Sequence, residues 1–474
     1  MTGARSETKR QSALLPVLVY ATLTGAIVSS LGMLLVPTIS EEMHVSVSTA
    51  QWMLTVNLLV GAVATPIMGR LSDGPHKKRL LLTALAVILV GSVVAASAPN
   101  FAIFLVGRAL QGLAYGMVPV AIAVARRYVA ADKVQFGISS ISVVVSTGLG
   151  LGYPLTGILS GLFGFRSAFI FAAVFLATAV VGVAKIVPAG PDHRAETTKF
   201  DLVGATFLGI GLSALLLAVG EGANWGWASP VTIASFVGAG IMLGAWAVAE
   251  TRVSNPLIDL GVLRNADVLL ANATAIGLGA AMYVTLSIVS LVAQAPSSTA
   301  YGLALPVFWA GFVMLPLSAG SLGANRLVRV LAHRIEMSTL LFVGAAAVAI
   351  SAFGLWLAHA ELWQIMIGML VFGVGIGMTY AAMPALIASN VAAAELGSAV
   401  SFNQVLRTVG GSFGSAISGA VLAAHLAPDL RPTSTAVNVT LGIGALGCAA
   451  VFVALVLNKL FVGATRRDKA ATRS

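Results

Sequence analysis

Apolar residues in this chain fall into long unbroken runs, with the polar residues gathered in the short gaps between them. The runs lack the period-2 alternation of a half-buried strand, and they are apolar all round rather than along one stripe. Each is about 20 residues or more, enough for an α-helix to cross a hydrocarbon core about 30 Å thick. Fourteen spans are predicted, at 15–39, 50–70, 79–98, 101–125, 136–162, 166–187, 202–220, 230–249, 267–294, 301–323, 337–358, 362–388, 397–424 and 436–460. Helices satisfy their own backbone groups in lipid, and a barrel would show short alternating segments instead. The predicted fold class is therefore an all-α polytopic membrane protein.

Composition agrees. Of the 474 residues 58% are hydrophobic and 9% charged, far below the roughly 25% of a soluble domain, so the solvent for most of this chain is lipid. The net charge of +10 does not point to nucleic acid, because no soluble segment is long enough to form a basic face. The single cysteine, Cys448, excludes an internal disulfide and a cysteine metal cluster. The start mimics a signal peptide, basic then apolar. Its apolar part outruns a signal core, so a retained first membrane helix is expected.

Charge tests the span count. With both termini cytoplasmic, inside segments hold Arg5, Lys9, Arg10; Arg70, Lys77, Lys78, Arg79; Arg126, Arg127, Lys133; Lys185, Arg194, Lys199; Arg252, Arg264; Arg326, Arg329, Arg334; and Lys459, Arg466, Arg467, Lys469, Arg473. Outside loops hold just Arg166 and Arg431, while Arg108 and Arg407 fall within spans. This alternation is the positive-inside pattern, and an odd span count would scramble it. A bacterial cytoplasmic membrane is the expected location.

The chain also repeats itself. Spans 5 and 13 align at an offset of 262 residues (Ser139 with Ser401, Gly148 with Gly410, Gly152 with Gly414, Gly157 with Gly419), and spans 4 and 12 at 261 (Gly112 with Gly373, Gly116 with Gly377, Met117 with Met378). Parallel halves around a midplane site are a transporter plan. The expected organisation is a tail at 1–14, a six-helix half at 15–187, a linker at 188–201, an inserted helix pair at 202–249, a linker at 250–266, a second six-helix half at 267–460 and a tail at 461–474.

One charge cluster interrupts the apolar pattern sharply: "GRLSDGPHKKR", 69–79, between spans 2 and 3. With "RALQG" (108–112) and "NQVLRTVGGSFG" (403–414), it resembles motifs of the major facilitator superfamily, in particular the fourteen-helix branch of drug:proton antiporters. The inserted pair and its exit, "AETRVSNPLIDLGVLRN", resemble that branch too. Four positions depart from the family pattern: His76 stands for a glycine, Tyr153 and Ile158 replace two glycines of the fifth-helix motif, and Val28 stands where the branch carries a first-helix aspartate.

The resemblance implies a gate built from Gly69, Arg70, Asp73, Lys77, Lys78, Arg79 and Arg126, with Asp73 latching the halves. Asp73 is expected to accept from the start of the next helix or from Arg126. The alternative is an acid that merely sets topology. Gly148, Gly152, Pro154, Gly157, Gly410 and Gly414 suit close helix packing and a kink. The fragment "GLGLG" lacks the strand and soluble domain of a dinucleotide loop. The Asn-X-Thr patterns at 272 and 438 lie in or at spans.

Arg108 and Arg407 must face a cavity or a partner, since charge on the lipid face is expensive. With Gln111 and the edge acids Glu41 and Glu42 they are the cavity and coupling candidates; no acid occupies the middle of a span. Asn57, Tyr115, Asn272, Tyr283, Gln294, Tyr380, Asn403 and Gln404 either line the substrate path or glue helices together. No metal, cofactor or nucleophile constellation stands out, and no enzyme is expected. The partners implied are a small-molecule substrate, the bilayer and protons, with no nucleic acid and no obligate protein partner.

The function implied is a secondary active exporter of drug-like or antibiotic-like molecules working by alternating access, with proton coupling. Two in-span arginines without an in-span acid leave open an anionic-metabolite exporter or facilitator without proton antiport. A non-transporting membrane receptor or scaffold is the alternative from another class.

Overall fold

The computed structural model describes residues 2–32, 34–45, 47–188, 200–253, 256–331, 334–392, 394–427 and 431–471. Of the predicted linker at 188–201, residues 189–199 lie outside the described residues. So do 254–255 of the linker at 250–266, Met1 of the first tail and 472–474 of the last.

In chain order the helices are α1 (Thr2–Ser30), α2 (Val36–Glu42), α3 (Val47–Asp73), α4 (Lys77–Ser97), α5 (Phe101–Gln111), α6 (Met117–Tyr128), α7 (Ala131–Phe163), α8 (Arg166–Ile186), α9 (Leu202–Trp225), α10 (Pro230–Glu250), α11 (Ala266–Gln294), α12 (Val307–Phe312), α13 (Leu315–Leu331), α14 (Met337–Leu357), α15 (Leu362–Asn390), α16 (Leu396–Ala424) and α17 (Ser434–Ala471). Among the described residues 13 helices are long and apolar enough to cross a membrane. The remaining predicted span, 301–323, is formed by α12 and α13. Between them the N–H groups of Val313 and Met314 bond three residues back, to Ala310 at 3.3 Å and Gly311 at 3.4 Å, a tightened turn that divides the helix.

Two other spans are interrupted where glycine allows it. The first ends at Gly32, whose φ of +111° suits glycine alone, before the chain re-enters helix at α2. The fourth is α5 and α6 joined by a 3₁₀ turn, Gly112–Gly116. A Cβ on Gly112 would lie 2.7 Å from the Asn57 carbonyl, so its absence seats this turn directly on α3.

The two groups of helices meet along a seam of small hydroxyl residues. On α7 and α13, Ser318 donates to the Thr147 carbonyl at 2.9 Å, Ser146 bonds Ser321, and Asn325 donates to Ser140 at 3.2 Å. Gly148 and Gly152 take α1 close, against Ala26 and Ser30, while Gly410 and Gly414 take α11, against the Ile276 and Ala280 carbonyls. Gly157 is buried on the same helix as Pro154. The inserted α9–α10 hairpin packs on α3 and α16 through α9. α10 turns Val231, Ile233, Val237, Ile241 and Val248 outward, a face suited to lipid.

Candidate functional site

The charge cluster at 69–79 lies where the two groups of helices close at one end of the bundle. α16 begins without a cap from its own N-cap residue: Glu395 makes no side-chain cap bond. Asp73, the last residue of α3, supplies one from 324 residues away. Its Oδ1 accepts the Gly397 N–H at 2.6 Å and its Oδ2 the Ser398 N–H at 3.0 Å. These are the free donors of a helix N-terminus, and a carboxylate there also meets the positive end of the helix dipole. Arg126 does the converse. Its guanidinium donates at 3.1 Å to the carbonyl of Val391, the C-cap of α15, where a cation is favoured. From the following helix Lys77 reaches the Asp73 backbone carbonyl at 3.4 Å, while the carboxylate is taken up by α16; both cross-links are caps provided by one half to helix ends of the other.

The lysines do local work. Lys77 donates to the Gly74 carbonyl at 2.8 Å, and Lys78 to those of Ala184 and Val187 at 2.7 and 2.6 Å, at the end of α8. They hold different carbonyls, so neither stands in for the other. Arg79 is exposed and Arg70 half-buried.

Gly69 lets α3 and α16 touch. A Cβ there would overlap the Ser401 side chain and lie 2.7 Å from the Gly397 carbonyl. Gly69→Val is therefore expected to insert normally but to lower transport at least about tenfold, since about 1.4 kcal/mol lost from the closed state already shifts its population that far. Vesicle flux normalised to membrane-inserted protein checks this; normal flux would remove the contact from the cycle.

Midway along the bundle a small cavity of about 40 Å³ is lined by residues of both halves, among them Thr22, Ser29, Tyr115, Tyr283, Tyr380, Gln404, Arg407 and Thr408. A water needs about 10–15 Å³ of such space, so this cavity holds a few waters and no organic substrate. Substrate entry requires the halves to part. Arg407 lies with its guanidinium 4.0 Å from the Tyr380 ring centroid, a cation–π contact. Tyr380 donates its hydroxyl to the Met282 sulfur at 3.1 Å. Arg407 Nη1 and Gln404 Oε1 are buried without a hydrogen-bond partner. Among the described residues no carboxylate lines the cavity, and Arg407 is its one formal charge.

Four of the eight path candidates, Tyr115, Tyr283, Tyr380 and Gln404, come together there with Arg407. Others do not. Arg108 is fully enclosed within one half: Nε donates to the Met53 carbonyl at 3.2 Å, Nη1 to Gln111 at 2.7 Å, and Gln111 to Ser92 at 2.8 Å. Asn57 donates to the Arg108 carbonyl at 3.0 Å. Asn403 bonds Asn272 at 3.0 Å, joining α16 to α11. Gln294 is exposed and bonds Ser290. Glu41 and Glu42 are exposed at the end of α2, away from the cavity, because α2 carries them past the bundle end. Val28 is fully buried.

Among the described residues the buried acids that sequence reasoning missed are Glu221, one residue past the predicted span yet inside α9, and Asp201 and Glu250, at the base of the inserted hairpin, which it assigned to linkers. One signal was present: Trp246 stands one helical turn before Glu250, and its indole donates to that carboxylate at 2.6 Å.

Two sets of helices clasped at one end by reciprocal caps, around a central polar cavity, define a membrane transporter. The chain belongs to the Major Facilitator Superfamily, whose family model matches residues 17–415. Members of that superfamily are transporters, not enzymes. The chain is 27% identical over 404 residues to "Multidrug resistance protein Stp" of Mycobacterium tuberculosis, covering 84% of this chain and 73% of that protein. It is 26% identical to the "Tetracenomycin C resistance and export protein" of Streptomyces glaucescens, covering 82% and 72%. It is also 26% identical to the "Lincomycin resistance protein" of Streptomyces lincolnensis, covering 89% and 86%. The crystal structure of the human organic anion transporter MFSD10 (TETRAN) has the same fold, with a TM-score of 0.66 at 14% identity over 94% of this chain and 99% of that one.

Proposed function

We propose that this protein exports small, drug-like organic molecules across a bacterial cytoplasmic membrane by alternating access. Both termini and the Asp73 contact lie on the cytoplasmic side. The observation that carries this reading is the Asp73 cap on α16. It is a contact between halves made of hydrogen bonds to backbone N–H groups, which water can replace when the halves part. Parting there opens the Arg407 cavity to the cytoplasm. The resistance and export proteins among the relatives support drug-like cargo.

The fourteen-helix branch that the sequence resembles couples export to protons, and we carry that driving force over. A second reading is favoured by the cavity lining: an exporter or facilitator of an anionic compound, without proton antiport, because Arg407 has no carboxylate beside it. Flux from proteoliposomes with and without an imposed pH gradient separates the two. Acceleration by the gradient supports antiport; flux that follows the compound's own gradient supports the second reading.

Orientation has its own test. In a background with buried Cys448 replaced, Ala360→Cys is expected to react with an impermeant thiol reagent on intact cells. Ala131→Cys is expected to react after permeabilisation alone. Both positions are exposed. Labelling of Ala131→Cys from outside would invert the topology.

A further inference from the structure

The base of the α9–α10 hairpin buries two carboxylates. Asp201 caps α9, its Oδ1 accepting the Gly204 N–H at 2.9 Å. Glu250 ends α10; it accepts the Trp246 indole N–H at 2.6 Å and the backbone N–H groups of Leu257 and Ile258. The two are 8% and 5% exposed. They flank one glycine: a Cβ on Gly204 would run into Asp201 Oδ2 and lie 3.1 Å from Glu250 Oε1. The Asp201 charge acts directly on Glu250. Each carboxylate keeps one buried oxygen, Asp201 Oδ2 and Glu250 Oε2, with no hydrogen-bond donor.

Two ionised carboxylates in such a place repel, and each orphaned oxygen carries an uncompensated desolvation cost. One proton removes the repulsion and gives one carboxyl a donor in place of a charge. The charged groups on the packed elements do not serve that purpose. On α3 Arg70 acts on Asp73; on α16 Arg407 lies in the central cavity; Arg252 follows Glu250 in an exposed turn, and Asp259 is occupied with Gly261. None donates to either orphaned oxygen.

We infer that the buried Asp201–Glu250 pair is a proton-binding site that holds one proton and fastens the hairpin to the gate helices. The hairpin base forms an apolar cluster in which Leu208, Trp246 and Ile258 meet Val405 of α16 and Ile67 of α3. Trp246, held by Glu250, lies 6.2 Å from Phe402 of α16. These are the two helices that Asp73 joins, so the site bridges the halves beside the gate.

The test is the thermal midpoint of the purified full-length protein between pH 5 and pH 8, with and without sodium or potassium. Unfolded Asp and Glu titrate near pH 4, so above that the folded state binds a proton that the unfolded chain releases. Stability then falls as pH rises, by up to about tenfold in the unfolding constant per pH unit. Asp201→Asn and Glu250→Gln each replace the proton with a fixed N–H donor, and asparagine remains a good helix cap. Each is expected to remove that slope and to be at least as stable as wild type at pH 8. An infrared band of a protonated carboxyl is expected at pH 7 in wild type and lost in either amide variant, which reads the site even if one variant folds poorly. An unchanged slope in both variants, no such band, or stability set by sodium or potassium instead of pH would overturn the inference.

Discussion

Asp73→Asn is expected to lower transport by at least about tenfold while expression and membrane insertion stay near wild type. The carboxylate accepts two backbone N–H groups at once, at 2.6 and 3.0 Å. Hydrogen bonds to a charged group are worth about 1.5–3 kcal/mol each. Asparagine offers one acceptor, and its amide group turns a donor toward the other N–H. A change of about 1.4–3 kcal/mol shifts the closed population by about 10- to 150-fold. The shift favours the state open at the Asp73 end, so the cycle stalls on one side. Asp73→Glu is not expected to rescue, because the extra methylene moves the carboxylate off two donors fixed by α16. Arg126→Gln should show a smaller loss, since it removes one bond to one carbonyl. Substrate flux together with thiol reactivity at the Asp73 ends of α3 and α16 distinguishes a stalled gate from a misfolded protein. Normal flux in Asp73→Asn would reduce the charge cluster to a topology signal.

Arg407→Gln is expected to weaken transport of anionic aromatic compounds by about 10- to 100-fold and to leave matched cationic compounds unchanged or improved. In the closed protein Arg407 has one N–H without an acceptor, in a cavity with no carboxylate. A substrate carboxylate or phenolate would complete it, and a charged hydrogen bond of about 1.5–3 kcal/mol sets the size of the effect. A cation would meet uncompensated positive charge. Arg407→Lys should recover part of the loss at most, because lysine keeps the charge but neither the planar fork nor the stacking on Tyr380. Arg108→Gln is the contrast. It should lower the yield of folded protein without changing the preference for charge, because Arg108 holds Met53 and Gln111 inside one half.

The fold was legible because lipid imposes long apolar runs, and because lysine and arginine mark the loops on one side. The breaks at Gly32, Gly112–Gly116 and Val313–Met314 were not, since glycine and small residues are common throughout the spans. In the site, sequence placed Asp73 at a helix end, but its partners are backbone N–H groups, which no residue type announces. The one trace was a helix starting "ELGSAV" without a capping side chain. Depth along a span put Arg108 and Arg407 both inside the membrane. Which way each faced depended on neighbours from α3, α4 and α8 for one and from α11 and α15 for the other. Asp201 and Glu250 went unseen because they border the polar segments, where an acid ordinarily meets water. Their burial comes from Trp246, Leu257 and Ile258 folding over them.

Substrate passes through the Arg407 cavity when the Asp73 cap opens, and uptake into inside-out vesicles of two aromatic compounds matched in size, one anionic and one cationic, by wild type, Asp73→Asn and Arg407→Gln probes this passage. Wild type is expected to accumulate the anion, Asp73→Asn to accumulate neither, and Arg407→Gln to lose the anion selectively. Strong uptake of the cation by wild type, undiminished in both variants, would contradict it.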